Sequence, residues 1–247
     1  MGIFSFFGRK QGDRESAKYF PLQTDMHSHI LPGIDDGSPD LKTSIQLVRG
    51  LMALGVKKSI ATPHIIGDMY RNNPETIGQA LKKLKDELKR QQLQFELSAA
   101  AEYMLDSYFF ELLQSGQPLL TIKDNILLTE FSYASRPDDP GKLSFAIITA
   151  GYTPILAHPE RYPYYYGNLK MIHRLAELGF LLQVNLLSLT GYYGKEAAKV
   201  AQYMIKNELV SFIGTDMHHD RHLKALSDPR NRELFHKYLS HREWNYL

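Results

Sequence analysis

The sequence predicts an α/β barrel built from about seven strand–helix units in a chain of 247 residues. Three observations predict it. Short apolar runs alternate with amphipathic stretches from about residue 20 to about residue 215, and such alternation implies a parallel sheet covered by crossover helices. Runs such as Ile126-Leu127-Leu128 and Thr153-Pro154-Ile155-Leu156-Ala157 are apolar on both faces, as buried parallel strands are. Nearly every strand stops at a histidine or an acidic residue. A doubly wound open sheet is the alternative, but no glycine-rich phosphate loop follows the first strand.

The elements follow in order. Leu22–Met26 reads as the first strand, with Ser38-Pro39 as the cap and first position of the next helix. Leu41, Ile45, Val48 and Met52 recur at helical spacing and Gly55 closes that helix. Lys58–Thr62 is the second strand, ending at Pro63-His64, and Asn73-Pro74 opens a helix with Ile77, Leu81, Leu84 and Leu88 on one face. Phe95–Ala101 and Asn125–Thr129 are the third and fourth strands, ending at Glu102 and Glu130. A helix over 143–150 leads to Thr153–Ala157, which ends at His158. A helix over 168–178 leads to Phe180–Asn185, and one over 196–206 leads to Leu209–Thr215, which ends at Asp216. The last stretch, about 223–247, reads as helical. Without a Gly-, Ser- or Pro-rich linker, the expected organisation is an extension over 1–20 followed by one domain over 21–247.

Bulk composition excludes several classes of function. A formal net charge of +2 and no dense basic block give nothing to track nucleic acid. The absence of cysteine removes disulfides and thiolate catalysis. No apolar run reaches the ~20 residues of a membrane span. In the start Met1-Gly2-Ile3-Phe4-Ser5-Phe6-Phe7-Gly8-Arg9-Lys10, basic residues follow the apolar stretch, which argues against a signal peptide, and Phe6 argues against myristoylation. The expectation there is an unstructured or docked tail, with a weak membrane-surface contact as the alternative.

In a barrel, the C-terminal ends of the strands share one face, where active sites sit. The residues at those ends are His27 and His29, His64, Glu102, Glu130, His158, and Asp216 with His218; Asp36 is in reach on the first loop. Two histidines one residue apart on an extended segment point to the same side. Imidazoles and carboxylates without thiolates suit manganese, iron or zinc, and about nine donors suffice for two or three ions. Two ions clamping attacking and leaving oxygens are the usual solution for phosphate-ester hydrolysis. Arg161 and Arg221, each three residues after a candidate ligand, are the expected phosphate-binding groups, with Arg136, Arg71 and His222 as weaker substrate-binding candidates. His219 and His222 are candidates for outer positions or for protonating the leaving oxygen, and Glu160 is expected to orient Arg161. With no nucleophile elbow and no cysteine, attack by a metal-activated hydroxide remains. The set leaves a phosphodiesterase, a small-molecule phosphatase or a non-catalytic metal-binding scaffold as alternatives.

The order His27-x-His29, Asp35-Asp36-Gly37, Thr62-Pro63-His64, Ala101-Glu102, Glu130-Phe131-Ser132, Ala157-His158-Pro159-Glu160-Arg161 and Asp216-Met217-His218 resembles the polymerase-and-histidinol-phosphatase (PHP) superfamily. It resembles most closely the PHP-type tyrosine phosphatases of bacterial capsular and exopolysaccharide loci, over roughly residues 22–225. The resemblance implies a distorted TIM-like (β/α)7 barrel and a trinuclear centre, commonly of manganese or iron. It implies the ligand set His27, His29, Asp36, His64, Glu102, Glu130, His158, Asp216 and His218, with Glu102 as the bridging carboxylate, and phosphate binding by Arg161 and Arg221. It further implies a cytoplasmic enzyme that acts on phosphotyrosine of a partner protein, chiefly a bacterial tyrosine autokinase. A histidinol-phosphatase-like activity is the alternative within the superfamily.

Overall fold

In a computed structural model, which describes residues 20–245 and 247, nine strands form two all-parallel sheets. The first joins β1 (Thr24–Asp25), β2 (Lys58–Ala61) and β4 (Glu96–Ala99) in the order β1-β2-β4. The second joins β3 (His64–Ile65), β5 (Glu102–Met104), β6 (Ile126–Glu130), β7 (Thr153–Leu156), β8 (Leu181–Asn185) and β9 (Val210–Gly214) in that order.

Nine strands are seven runs with two interruptions. Pro63, which has no N–H, separates β2 from β3. Ala100-Ala101 separates β4 from β5 beside it, and Ala100 N donates to Ala61 O while Glu102 N donates to Pro63 O. The two sheets are therefore one ring, interrupted within the second and third runs. The first and last runs meet at its upper end, where Ser28 bridges Met217 in parallel and Asp216 N donates to His27 O at 2.8 Å.

The helices are α1 (Leu41–Leu54), α2 (Pro74–Arg90), α3 (Ser107–Gln114), α4 (Pro140–Thr149), α5 (Leu169–Glu177), α6 (Lys195–Lys206), α7 (Asp220–Ser227) and α8 (Pro229–Leu239). Helix α1 is capped by Asp40, whose carboxylate accepts from Thr43 N at 2.7 Å, rather than by Ser38. Ser38 instead hydrogen-bonds Asp40 O, bracing the turn before the helix. Gly55 ends α1 in the left-handed conformation (φ 98°). Asn73, Pro74 and Thr76 form the expected cap of α2. The C-terminal region is not one helix, because Pro229 breaks it into α7 and α8 and the chain leaves helix after Leu239. Helix α3, to which no sequence signal was assigned, is started by Asp106 accepting from Phe109 N. None of the helices among the described residues is long and apolar enough to cross a membrane.

One extended core joins strands to helices, from Leu51 and Leu84 to Leu175, Met204 and Phe235. A separate small cluster takes Met26, Ile60, Ala100, Leu128 and Ile155 from successive runs, as the interior of a ring should. At the lower end of the seam between β1 and β9, Asn245 accepts from Ile213 N and donates to Thr24 O (2.9 Å) and Ile213 O (2.7 Å). A side chain thus spans the gap where these two runs make no ladder. The expected extension lies outside the described residues apart from Phe20, which packs edge-on against Phe235.

Candidate functional site

Every predicted metal ligand reaches the upper end of the ring. His27 and His29 follow β1 and face the same way, with their Nε2 atoms 3.2 Å apart and both residues fully buried. Glu102 Oε2 lies 3.1 Å from His27 Nε2 and 3.3 Å from His29 Nε2. Asp216 Oδ1 lies 3.4 and 3.5 Å from the same two nitrogens. His158 Nε2 sits 3.1 Å from Glu102 Oε1, and His64 Nδ1 sits 3.0 Å from Glu130 Oε1. On the outer side, Asp36 Oδ1 is 3.5 Å from His64 Nε2 and 3.6 Å from His218 Nε2. These nine side chains fall into four overlapping groups able to hold an ion: His29-Asp36-His64-His218, His27-His29-Asp216, His27-Glu102-His158 and His64-Glu102-Glu130.

The donors fit divalent cations on the evidence of their own polar atoms. His64 Nδ1, Glu102 Oε2 and Glu130 Oε1 are buried and face one another, Nδ1 lying 3.0 Å from Glu130 and 3.3 Å from Glu102, without the geometry of a hydrogen bond. Leaving such atoms unsatisfied costs several kcal/mol, on the order of the penalty for a buried polar group without a partner. Cations among them remove that penalty. Imidazole and carboxylate donors without thiolate suit manganese, iron or zinc.

The electrostatics are those of a site that competes with protons. Burial disfavours charge on His29, but Asp35 and Glu102 outweigh it and raise its pKa well above the usual range. Burial and His29 also oppose charge on His64, yet Glu130 and Glu102 push it up to about 9. The His218 hydrogen bond pulls Asp36 down to about 2. Burial works against ionisation of Glu102 and Asp216, but the surrounding histidines hold both carboxyls well below their ordinary values.

Local backbone explains the convergence. His158 (φ 36°) and Asp216 (φ 51°) both adopt left-handed conformations as the chain leaves β7 and β9. For a residue with a Cβ this costs on the order of 1–2 kcal/mol, and such strain gathers at functional sites. Gly37 is obligatory, since a Cβ there would come within 2.1 Å of His29 O. The Asp-Asp-Gly turn lets the two acids divide their roles. Asp35 Oδ2 accepts from His29 Nδ1 at 2.8 Å and its Oδ1 accepts from Gly37 N, while Asp36 faces the cavity.

The cavity encloses about 290 Å³ and is lined by candidate ligands together with Arg161, Tyr133, Tyr193, His219 and His222. Arg161 Nη1 donates to Asp216 Oδ2 at 2.6 Å, and its guanidinium lies 4.1 Å from the Tyr193 ring and 5.2 Å from the Tyr133 ring. The expected orienting role of Glu160 is not seen. Glu160 is buried and accepts from Asn185 N and Ser188 Oγ, so it fixes the turn after β8, and Asp216 positions Arg161. Arg221 is exposed in the first turn of α7 and lies outside the cavity lining. Arg136 and Arg71 are exposed as well, and Arg71 Nε is tied to Gly67 O beside the Tyr108 ring. His222 is buried, lines the cavity and accepts from His218 N through Nδ1. Burial pushes its pKa down to about 3, so it is neutral near pH 7, with its one N–H on Nε2, and is a weak acid toward a leaving group. His219 caps α7 by accepting from His222 N.

Tyr133, Gln183 and Asn185 join the site without a sequence motif of their own, beside Tyr193 of the Tyr192-Tyr193 pair that follows β8 and is a candidate rim aromatic. Tyr133 turns its hydroxyl to His158 Nδ1 at 3.2 Å, although two-fifths of the residue is exposed. Tyr193 stacks on Arg161. Gln183 Oε1 lies 2.9 Å from His27 Nδ1, and Asn185 Nδ2 donates to Asp216 Oδ2. The only signal for the last two was polarity at two alternate positions of an otherwise apolar strand.

Residues 23–233 match the family described as capsular polysaccharide synthesis, CpsB/CapC. Tyrosine-protein phosphatase YwqE of Bacillus subtilis (strain 168) is 30% identical over 195 residues, 78% of this chain and 76% of that protein. Tyrosine-protein phosphatase CpsB of Streptococcus agalactiae is 26% identical over 199 residues, 78% and 82% of the two chains. Among solved structures, one from the pair YwqE of B. subtilis and CpsB of Streptococcus pneumoniae, described as unique metal-dependent tyrosine phosphatases, superposes with a TM-score of 0.76. It is 27% identical and the match covers 87% of this chain and 86% of that one. The histidinol phosphate phosphatase of Lactococcus lactis shares the fold, with a TM-score of 0.52 at 14% identity.

Proposed function

The chain belongs to the capsular polysaccharide synthesis family CpsB/CapC, and from that membership we propose that it is a metal-dependent phosphatase hydrolysing phosphotyrosine on proteins. The observation that carries the chemistry is the convergence of nine imidazole and carboxylate side chains with Arg161 at one cavity. We assign His27, His29, Asp36, His64, Glu102, Glu130, His158, Asp216 and His218 as ligands of two or three divalent ions. Manganese is our first choice, with iron or zinc as alternatives. The bound ions would supply Lewis acidity and an activated water for attack on phosphorus.

The rest of the task falls to the protein. Asp35 accepts from Nδ1 of His29 and so leaves Nε2 directed inward. Tyr133, whose hydroxyl lies 3.2 Å from His158 Nδ1, holds that ring with Nε2 toward Glu102. Arg161 is held by a carboxylate on one edge and by two aromatic rings on its faces, and its remaining N–H groups are available to the phosphoryl oxygens. Such a fixed donor stabilises the charge that grows on those oxygens as the ester bond breaks. A departing phenol has a pKa of about 10, so the tyrosyl oxygen leaves with little need of a proton donor. This suits a cavity whose inner histidine, His222, is neutral. Arg221 is exposed on α7, outside the cavity lining, and takes no part in this phosphate binding.

We further propose that residues 21–247 act as one catalytic domain in the cytoplasm and that the substrate is a tyrosine kinase of the same polysaccharide pathway. The deciding experiment compares a phosphotyrosine peptide, a phosphoserine peptide, histidinol phosphate and a phosphodiester at matched concentration with manganese-loaded protein. The expected result is a kcat/KM highest for phosphotyrosine by at least tenfold. Preference for histidinol phosphate or the diester would overturn the assignment of substrate.

A further inference from the structure

Two side chains of β8 connect the two ends of one candidate ion site, and neither belongs to the ligand set. Gln183 and Asn185, two residues apart on the same face of the strand, are both fully buried. His27 Nδ1 lies 2.9 Å from Gln183 Oε1, Gln183 Nε2 donates to Asn185 Oδ1 at 2.8 Å, and Asn185 Nδ2 donates to Asp216 Oδ2 at 2.7 Å.

The direction of this chain of bonds is fixed by its last member. Asp216 also receives Arg161 Nη1 on the same oxygen, and an ionised carboxylate only accepts. Asn185 must therefore present its NH₂ to Asp216 and its carbonyl to Gln183. Gln183 must then present its NH₂ to Asn185 and its carbonyl to His27, so His27 carries a hydrogen on Nδ1. Nε2 is thereby left as the nitrogen that can bind an ion, facing His29 Nε2 and Asp216 Oδ1, which with it make up one of the four candidate groups. Asp216, with Oδ2 occupied by Asn185 and Arg161, likewise keeps Oδ1 for that group.

The neighbouring strand makes room for this arrangement. A Cβ on Gly214 of β9 would stand 2.6 Å from His27 Cβ and 2.9 Å from Gln183 Nε2. Only glycine lets Gln183 and His27 lie side by side against that backbone.

We propose that Gln183 and Asn185 are positioning residues that act as a directional amide relay, setting the tautomer of His27 and the presented oxygen of Asp216 together for one metal ion. The inference rests on the metal-site reading given above. Outer groups of this kind are worth about 10–100-fold in metal affinity.

The test is zinc competition with a chromophoric chelator, starting from metal-free protein, for wild type, Gln183→Met, Asn185→Ala and the double variant. His27→Ala serves as the reference for the site itself. The relay predicts that either single variant weakens the binding of one ion about 10-fold or more. The remaining ions should keep their wild-type affinity. Because either break interrupts the same relay, the double variant should cost little more than the worse single one. Should Gln183→Met not fold, Asn185→Ala breaks the relay in the middle and carries the test alone. If His27→Ala loses an ion while both relay variants bind like wild type, the relay is wrong and the metal site stands. Equal weakening of every ion, in step with a fall in the melting temperature of the metal-free protein, also overturns the relay, since that is what a purely structural role would give. If His27→Ala leaves zinc binding untouched, the metal-site reading fails and the relay with it.

Discussion

Replacing Arg161 with lysine keeps the charge and removes the geometry. In the folded protein Nη1 lies 2.6 Å from Asp216 Oδ2, and the guanidinium lies 4.1 Å from the Tyr193 ring. A hydrogen bond between charged groups contributes about 1.5–3 kcal/mol and a desolvated cation–π contact about 2 kcal/mol, so the guanidinium is held firmly. An ammonium in its place can meet Asp216 or a phosphoryl oxygen, but it has no planar fork with which to meet both. Removing one fixed donor to developing negative charge raises a barrier by about 2.7–4 kcal/mol. At 1.36 kcal/mol per factor of ten, the lower figure corresponds to about 100-fold in rate. Arg161→Lys should therefore reduce kcat/KM for a phosphotyrosine peptide about 100-fold at unchanged ion content, with a melting temperature lowered by the loss of the Asp216 and Tyr193 contacts. The assay is initial-rate phosphate release, with ion content measured on the same sample. A kcat/KM within threefold of wild type at full ion content would refute the role given to Arg161.

Three further outcomes are expected. Gly214→Ala forces a methyl group against His27 Cβ and Gln183 Nε2, and should destabilise the protein by about 1–3 kcal/mol in urea denaturation; an unchanged midpoint would deny the close approach. Asn245→Ala removes the three bonds spanning the seam between β1 and β9, at about 1 kcal/mol each, and should lower stability by about 2–3 kcal/mol while the folded protein stays loaded and active. His64, pushed up to about 9, is protonated in the metal-free protein at pH 7. An ion must displace that proton, so affinity should rise about tenfold per pH unit for each proton displaced between pH 6 and 9, read by chelator competition. Affinity independent of pH would show that these imidazoles are already neutral.

The seven-run ring was legible because each strand ends where its hydrophobic run meets a polar residue, and those ends are also where the ligands stand. His27, His64, Glu102, Glu130, His158 and Asp216 could be read by position for that reason, and the structure brings all of them together. The breaks at Pro63 and at Ala100-Ala101 were harder to see, since a kinked strand and a continuous one have the same apolar pattern. Arg161 and Arg221 share one spacing in the sequence, each three residues from a candidate ligand, with Arg161 the firmer of the two expectations. A tight turn after His158 aims Arg161 into the cavity, whereas the first turn of α7 points Arg221 into solvent, and spacing alone does not distinguish the two. Gln183 and Asn185 were hidden for another reason. A buried amide's use depends on what lies across the ring from it, here His27 and Asp216, separated from them by 156 and 31 residues. Tyr133 and Tyr193 were two among 15 tyrosines.

If the converging histidines and carboxylates hold the ions that make this chain a phosphotyrosine hydrolase, activity must follow ion content. The most direct measurement is phosphate release from a phosphotyrosine peptide by one preparation, stripped of metal by chelation and then titrated with manganese. The expected result is no turnover when stripped and activity restored at two or three ions per chain. Undiminished turnover by the stripped protein, or ions bound at that ratio without any hydrolysis, would contradict it.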